Sequence, residues 1–579
     1  MKTQIMSATV FLFLFLVAGV SSAADRTWNG GGAEAYWSLA NNWGGTAPEA
    51  GDALFFGGST KLANTNDVEG GTSFTGITFN SGAGAFVLGG NAITLDGNVS
   101  NLSTSVKTIN LPITLSGDRM IYGSNVAFTV NGVLSGPGGL TANVTNSTLT
   151  LTASNTYEGV TYVTNGTLAM THAYALGSTN AHTMVYGKQH GRIQFGGGLE
   201  IYEPFTLNGQ RPGYGQTLTC SGGSNTLWGL ITKVNEIRVG VSGGSTLVFA
   251  GGIHTPAGGG DVILNPGGGT VIFREVPINL GTGAFYLDQG GLISIAVAGN
   301  TWGDTRAAGG GGTIRADVTN ALPATTKLIV GAGHSANGNF DLNGYDQTVS
   351  QLLTDTVNAG TRTVTSSKPA ALTLNQSANT LFNGILTGMV RLIKNGTGSI
   401  LFTNGISTTT GDLIVNTGTV VIAQSAGFNA NTNTVVNGGI LELRTQTALW
   451  DNTRLYVADG AKVRIGAGLK ETVGQLFING VQQARGIYGT TASGALFPND
   501  THFDGTGQLN VLSGPAVTPV THTWDAESSE DTLFSTAANW TDDAVPLFDG
   551  TTHAVFGLGG STATVDVAAG LYGMTFNRD

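Results

Sequence analysis

The sequence predicts an all-β chain, a right-handed parallel β-solenoid (β-helix) that begins with a tryptophan-rich opening or capping unit. Three observations predict it. Short runs alternate apolar and polar residues, as in Ser147-Thr148-Leu149-Thr150-Leu151-Thr152, Ser245 to Ala250 and Ser399 to Thr403. This period of two places Leu, Val, Ile and Phe on one face and Thr, Asn and Ser on the other. Each run closes on Gly or Asn, residues that accept left-handed turn conformations, and helical periodicity is nearly absent. The runs also recur at similar spacings along an array longer than a sandwich or barrel explains, whereas stacked coils explain it directly.

At the N-terminus, Lys2, the apolar run Ala8 to Val20 and the small residues Ser21-Ser22-Ala23 read as a signal peptide over residues 1–23, cleaved before Ala24. The apolar run is about 13 residues, short of the roughly 20 that a spanning helix needs. The mature chain is therefore expected to be exported, extracellular or on the outer cell surface, with no transmembrane segment.

Residues 24–100 form the tryptophan-rich opening unit and first coils: Thr27-Trp28, Trp37-Ser38-Leu39-Ala40-Asn41-Asn42-Trp43, Pro48, Phe56-Gly57 and Ile77-Thr78-Phe79-Asn80. The same pattern returns as Thr523-Trp524, Phe534-Ser535-Thr536-Ala537-Ala538-Asn539-Trp540, Pro546, Phe556-Gly557 and Met574-Thr575-Phe576-Asn577. Residues 521–579 are thus expected to be a second, truncated opening unit after a linker at 515–520. Between the two copies lie solenoid repeats over 101–450 and terminal rungs over 451–514. A lead-in, Asn131 to Gly136 (NGVLSG), is echoed at Asn383 to Gly388 and more loosely at Leu227 to Thr232.

Composition narrows the function. The 579 residues include 90 Gly against 14 Pro, about twice the usual glycine share, with no every-third-residue period, which excludes collagen. Hydrophobic residues make up 40% and charged residues 11%, so the chain is solvated mainly by Thr, Asn, Ser and Gly around an apolar core, and disorder is excluded. The net charge of -11 contains no basic run, which argues against nucleic acid, whose phosphates need clustered Lys and Arg. With one cysteine, Cys220, the fold rests on no internal disulfide or thiolate metal site, and that thiol is expected to be buried and inert.

The stretch Leu149 to Leu168, LTLTASNTYEGVTYVTNGTL, resembles the autotransporter-associated β-strand repeat of bacterial passenger regions, and Ile400 to Val420 is a diverged second copy. The two opening units resemble those that begin such arrays, and Leu455 to Leu512 resembles their terminal rungs. The resemblance implies a structural or adhesive passenger. Two departures from the family pattern are read in the sequence: neither the alternating strands of a C-terminal outer-membrane barrel nor a sorting signal is recognised up to Asp579. The second opening unit stops where the first runs on into Asn80-Ser81-Gly82, so the chain is expected to be a fragment or a truncated reading frame.

Candidate chemistry is sparse. Gly240-Val241-Ser242-Gly243-Gly244 matches the G-x-S-x-G elbow of serine hydrolases, but the residues after it read as a strand where the elbow needs a helix. Gly258-Gly259-Gly260-Asp261 matches half of a calcium-binding nonapeptide roll without the tandem copy that would share the ion, and reads as a turn. The eight histidines show no metal-ligand spacing, so neither a metal nor a cofactor is expected. Arg274-Glu275, Asp341 with Asp346, and Glu442 with Arg444 are the pairs that a polysaccharide lyase or hydrolase on this fold would use; the plainer reading is solvated surface pairs.

Trp28, Trp37, Trp43, Trp524 and Trp540 admit two readings: a glycan-stacking platform for cell-surface or matrix polysaccharide, or a cap that seals the first coil. Alternation also fixes which residues bear the fold. Leu151 is expected in the core ladder and Thr150 on the opposite face.

Overall fold

The computed structural model describes residues 23–209, 215–256, 259–331, 337–355, 360–403, 405–423, 426–557, 562–567 and 570–577. The signal-peptide reading therefore lies outside the described residues except for Ala23. The chain divides into two compact units, residues 1–181 and 182–579. Each is a parallel β-solenoid, as the alternation and turn residues predict.

In the first unit each coil carries short strands on three faces. One face stacks Asp25–Trp28, Ala53–Phe56, Gly76–Phe79, Val99–Asn101 and Arg119–Ser124, all parallel and in register. A second stacks Thr72–Phe74, Ile93–Leu95, Ile113–Leu115 and Leu134–Ser135. On the third, Leu88, Ile109, Val130, Leu151 and Met170 pair in succession and are all buried. The alternation is literal here: Leu140–Leu151 buries Leu149 and Leu151 and leaves Thr150 between them half-buried on the outer side.

The second unit continues the pattern. Its principal sheet runs through Glu200–Ile201, Ser224–Leu227, Thr246–Phe249, Thr270–Phe273 and Leu292–Ile295 on to Gln475–Ile478 and ends at Val481–Gln482. An inward column of Ile201, Leu227, Phe249, Phe273 and Ile295 fills the interior, with the Phe249 and Phe273 rings stacked 4.9 Å apart. The closing residues change pairing. Gly486–Gly489 runs antiparallel to Gln508–Val511, and Val481–Gln482 folds back on Gln475–Ile478, so these strands cannot template further parallel coils on that side.

The two repeat-like stretches each correspond to one coil. Leu149 pairs with Leu168, and Ile400 pairs with Val420, so the first apolar residue of the motif stacks on its last. A motif of that length closes one turn and returns the chain to the same core column.

The interior is not wholly apolar. Lys107, Lys233 and Lys394 are buried at coil corners, where backbone carbonyls turn inward and need donors. The Lys107 ammonium donates to Ser103 Oγ at 2.7 Å and Ser105 O at 2.6 Å, and Lys394 to Asn395 O at 2.8 Å and Gly396 O at 2.7 Å. Lys233 donates to Gly260 O at 2.6 Å. Burial pushes the Lys107 and Lys394 amines down to about 8. It pushes Glu203 up to about 8, against the Thr183 hydroxyl bond, and Glu471 up to about 7, against amide donors from Leu449 and Ala448.

Two outcomes are expected. Leu151→Asp places a charge in the ladder and unfolds its coil, and Leu151→Ala costs about 2–5 kcal/mol; Thr150→Asp changes stability by no more than about 0.5 kcal/mol. Urea unfolding of the variants checks this, and equal losses for Leu151→Asp and Thr150→Asp would contradict the alternation. Second, Glu203 and Glu471 stay protonated in the folded chain above the ordinary carboxyl range, so unfolding releases their protons. Stability should therefore fall as pH rises from about 4.5 to 8 and recover as the unfolded lysines lose their charge toward 10.5. Melting temperature measured across that range should pass through a minimum near pH 8, and Glu203→Gln should flatten its acid side.

Candidate functional site

Because each coil repeats the register of the last, outward residues also form columns. On the principal sheet of the second unit three such columns run side by side over six coils. The inward residues Leu372, Leu392, Leu413, Thr434, Leu455 and Leu476 are all buried. Between them the strands present a central outward column of Thr373, Ile393, Ile414, Val435, Tyr456 and Phe477, each half-buried. Runs such as Leu413-Ile414-Val415 are apolar on both faces, so beyond Thr373 this stripe is apolar although it faces outward.

Hydrogen-bonding columns flank the stripe. On one side Asn395 donates to Asn375 at 3.2 Å, Asn416 to Asn395 at 2.8 Å and Asn437 to Asn416 at 2.9 Å, an amide ladder one step per coil. Ala458 takes the next position and breaks it, and Asn479 beyond bonds to Asp459 at 2.6 Å instead. On the other side stand Ala371, Arg391, Asp412, Asn433, Arg454 and Gln475, with Arg391 3.7 Å from Asp412 and Asn433 donating to Asp412 at 2.9 Å. Where Ala458 interrupts the ladder a depression of about 500 Å³ opens, lined by Asn433, Val435, Asn437, Arg454, Tyr456 and Asn479 among others. The Tyr456 ring stacks on Phe477 at 4.6 Å and 15°. Arg454 is exposed and makes no ion pair among the described residues.

A second outward column holds Tyr202, Trp228, Ala250 and Arg274. Tyr202 and Trp228 lie parallel, 6.1 Å apart, and Arg274 reaches past the small Ala250 to sit 5.3 Å over the Trp228 ring. Trp228 donates to Glu200 at 2.5 Å, and Tyr202 is 48% exposed.

The five tryptophans singled out in the sequence are core residues, each no more than 5% exposed. Trp28 and Trp37 meet Trp43 edge-on at 5.2 and 5.8 Å, and all three surround Phe56. Trp524 meets Trp540 at 5.2 Å and 90°. None offers the open ring face that sugar stacking requires, which corrects the platform reading on physical grounds. The motif they share repeats its bonds as well. Trp43 donates to Trp37 O at 2.8 Å, and Trp540 donates to Phe534 O at 3.1 Å. Asn42 and Asn539, both fully buried, each tie three backbone groups. Trp28 pairs with Phe56 and Phe56 with Phe79; Trp524 pairs with Phe556 and Phe556 with Phe576.

The remaining candidates are placed as follows. Ser242 sits in a turn between strands Ile237–Val241 and Thr246–Phe249, with no helix after it. Asp261 accepts the Ala284 amide at 2.9 Å, tying one coil to the next. Arg274 and Glu275 are an exposed pair at 3.6 Å. Asp341 accepts the Asn343 amide at 2.8 Å, holding a turn, and Asp346 accepts the Ala371 amide at 2.7 Å, tying its coil to the next. Glu442 and Arg444 do share a face, at 2.5 Å, and Arg464 of the next coil bridges Glu442 at 3.3 Å and Asp504 at 2.7 Å. Cys220 is buried, its thiol pushed up to about 11 by that burial, against a hydrogen bond from Asn225. Among the described residues no helix is long and apolar enough to cross a membrane.

The chain is 26% identical over 508 residues to the Adhesin BmaC autotransporter of Brucella suis biovar 1 (strain 1330). The likeness covers 73% of this chain and 13% of that protein, so the chain matches about an eighth of the adhesin's length. No family model matches, and no solved structure matches. The solenoid and this likeness agree with the passenger-type resemblance read from the repeats.

If the opening tryptophans are core, Trp37→Ala should cost about 3–5 kcal/mol. Hydrogen exchange should localise the loss to residues 24–100 and leave the second unit's amides protected.

Proposed function

We propose that the chain is an exported, cell-surface adhesive segment that binds polysaccharide through the outward columns of its solenoid, without catalysis. One observation carries this reading: five consecutive coils, from Ile393 to Phe477, present an apolar stripe flanked by columns rich in Asn, Asp and Arg. Sugars offer the complementary chemistry, with apolar ring faces edged by hydroxyl groups. Repetition along the sheet multiplies weak contacts, so affinity grows with the length of chain engaged. Similarity to an autotransporter adhesin supports the same reading. Glu442, which a lyase could use, is instead paired with Arg444 and Arg464, and Arg464 in turn with Asp504.

A polysaccharide array probed with the chain from Ala24, with product release followed in the same wells, tests this. Retention without cleavage is the expected outcome. Cleavage, or the absence of retention on every polysaccharide, would overturn the proposal.

A further inference from the structure

We infer that the depression beside Ala458 is a subsite for a uronic-acid residue of an acidic polysaccharide, with Arg454 holding the sugar carboxylate. This rests on the polysaccharide-binding reading and names its ligand. The Asn395, Asn416 and Asn437 ladder ends where Ala458 supplies only a methyl group, and the missing amide leaves the room that a sugar ring fills. Tyr456 has one ring face on Phe477, which leaves its other side and Val435 as the apolar floor. Asn433, Asn437 and Asn479 rim the depression with amide groups suited to hydroxyls.

Arg454 sets the charge of the ligand. Arg391, in the same column, is balanced by Asp412 at 3.7 Å, whereas Arg454 has no acidic partner among the described residues. A guanidinium recognises a carboxylate through paired donors in one plane. An acidic peptide would supply the same charge, but strand Arg454–Val457 is already paired on both sides, with Asn433–Val436 and Gln475–Ile478. A peptide backbone would find no free strand edge there, and three amides beside an apolar floor suit a polyhydroxyl ring better.

The test compares retention of polygalacturonate, its methyl ester and polyglutamate by the full chain from Ala24. The chain's net charge of -11 disfavours polyanions in general, so a preference for the acid over the ester must arise locally. Expected are at least ten-fold tighter retention of polygalacturonate than of the ester, loss of that preference in Arg454→Ala, and its persistence in Arg391→Ala. Tyr456→Ala should weaken acid and ester alike. Melting temperatures of the arginine variants should match the parent, because both side chains are exposed.

Equal retention of acid and ester, an unchanged preference in Arg454→Ala, or polyglutamate bound as tightly as polygalacturonate would overturn the subsite. The broader reading would survive each of these results and would fall if no polysaccharide were retained or if one were cleaved.

Discussion

In-register stacking of parallel coils is the constraint on which everything else depends. Each residue lies on its counterpart one coil away, so a side chain is judged by its column. Inward columns are mainly apolar, as Leu372, Leu392, Leu413, Leu455 and Leu476 are, because a charge there without polar partners would lie between two neighbours with no water. Outward columns are free to vary, and that freedom lets a chain with so few charges build amide ladders and an apolar stripe on one sheet. The glycines follow from the same stacking. A Cβ on Gly132 would stand 1.9 Å from Leu111 O of the coil below, so the lead-in NGVLSG needs glycine at that corner.

Where the core does admit polar groups, geometry accounts for them. Coil corners turn carbonyls inward, and buried lysines meet those carbonyls with flexible stems that lie along apolar neighbours. Thr434 occupies an otherwise leucine-rich column because Asn431 donates to its hydroxyl at 2.6 Å. These groups hold the corners in place, and burial moves the Lys107, Lys394, Glu203 and Glu471 titrations to about 7 to 8, far from their ordinary values.

Much of the fold was legible in the sequence. Alternation assigned Leu151 to the core and Thr150 to the outer side, the motif length matched one coil, and the repeated tryptophan pattern recurs with the same internal bonds. The candidate site was less legible, for a physical reason. Period-two alternation is visible only when one face is polar, and Leu413-Ile414-Val415 reads as one apolar run that hides which residue faces outward. The tryptophans of the opening motif are buried by packing around Phe56, whereas the partly exposed Trp228 lies in the loose echo Leu227 to Thr232. One signal was present: Asn375, Asn395, Asn416 and Asn437 recur at the coil spacing, each two residues beyond the central column. Buried lysines left no such trace, since Lys107 and Lys394 sit in alternating runs where a charge reads as surface.

Register across adjacent coils is best tested by cross-linking. Outward neighbours in paired parallel strands are close enough for a disulfide, whose Cα atoms lie about 4.4–6.8 Å apart, while a residue shifted by one position points to the opposite face. Ile393 pairs with Ile414, and Lys394 with Val415. With Ile393→Cys and Ile414→Cys combined, mild oxidation should link the two coils nearly completely, whereas Ile393→Cys with Val415→Cys should stay reduced. Cross-linking of the second pair and not the first would mean that the coils are offset by one residue, and with them the columns on which the binding surface is built.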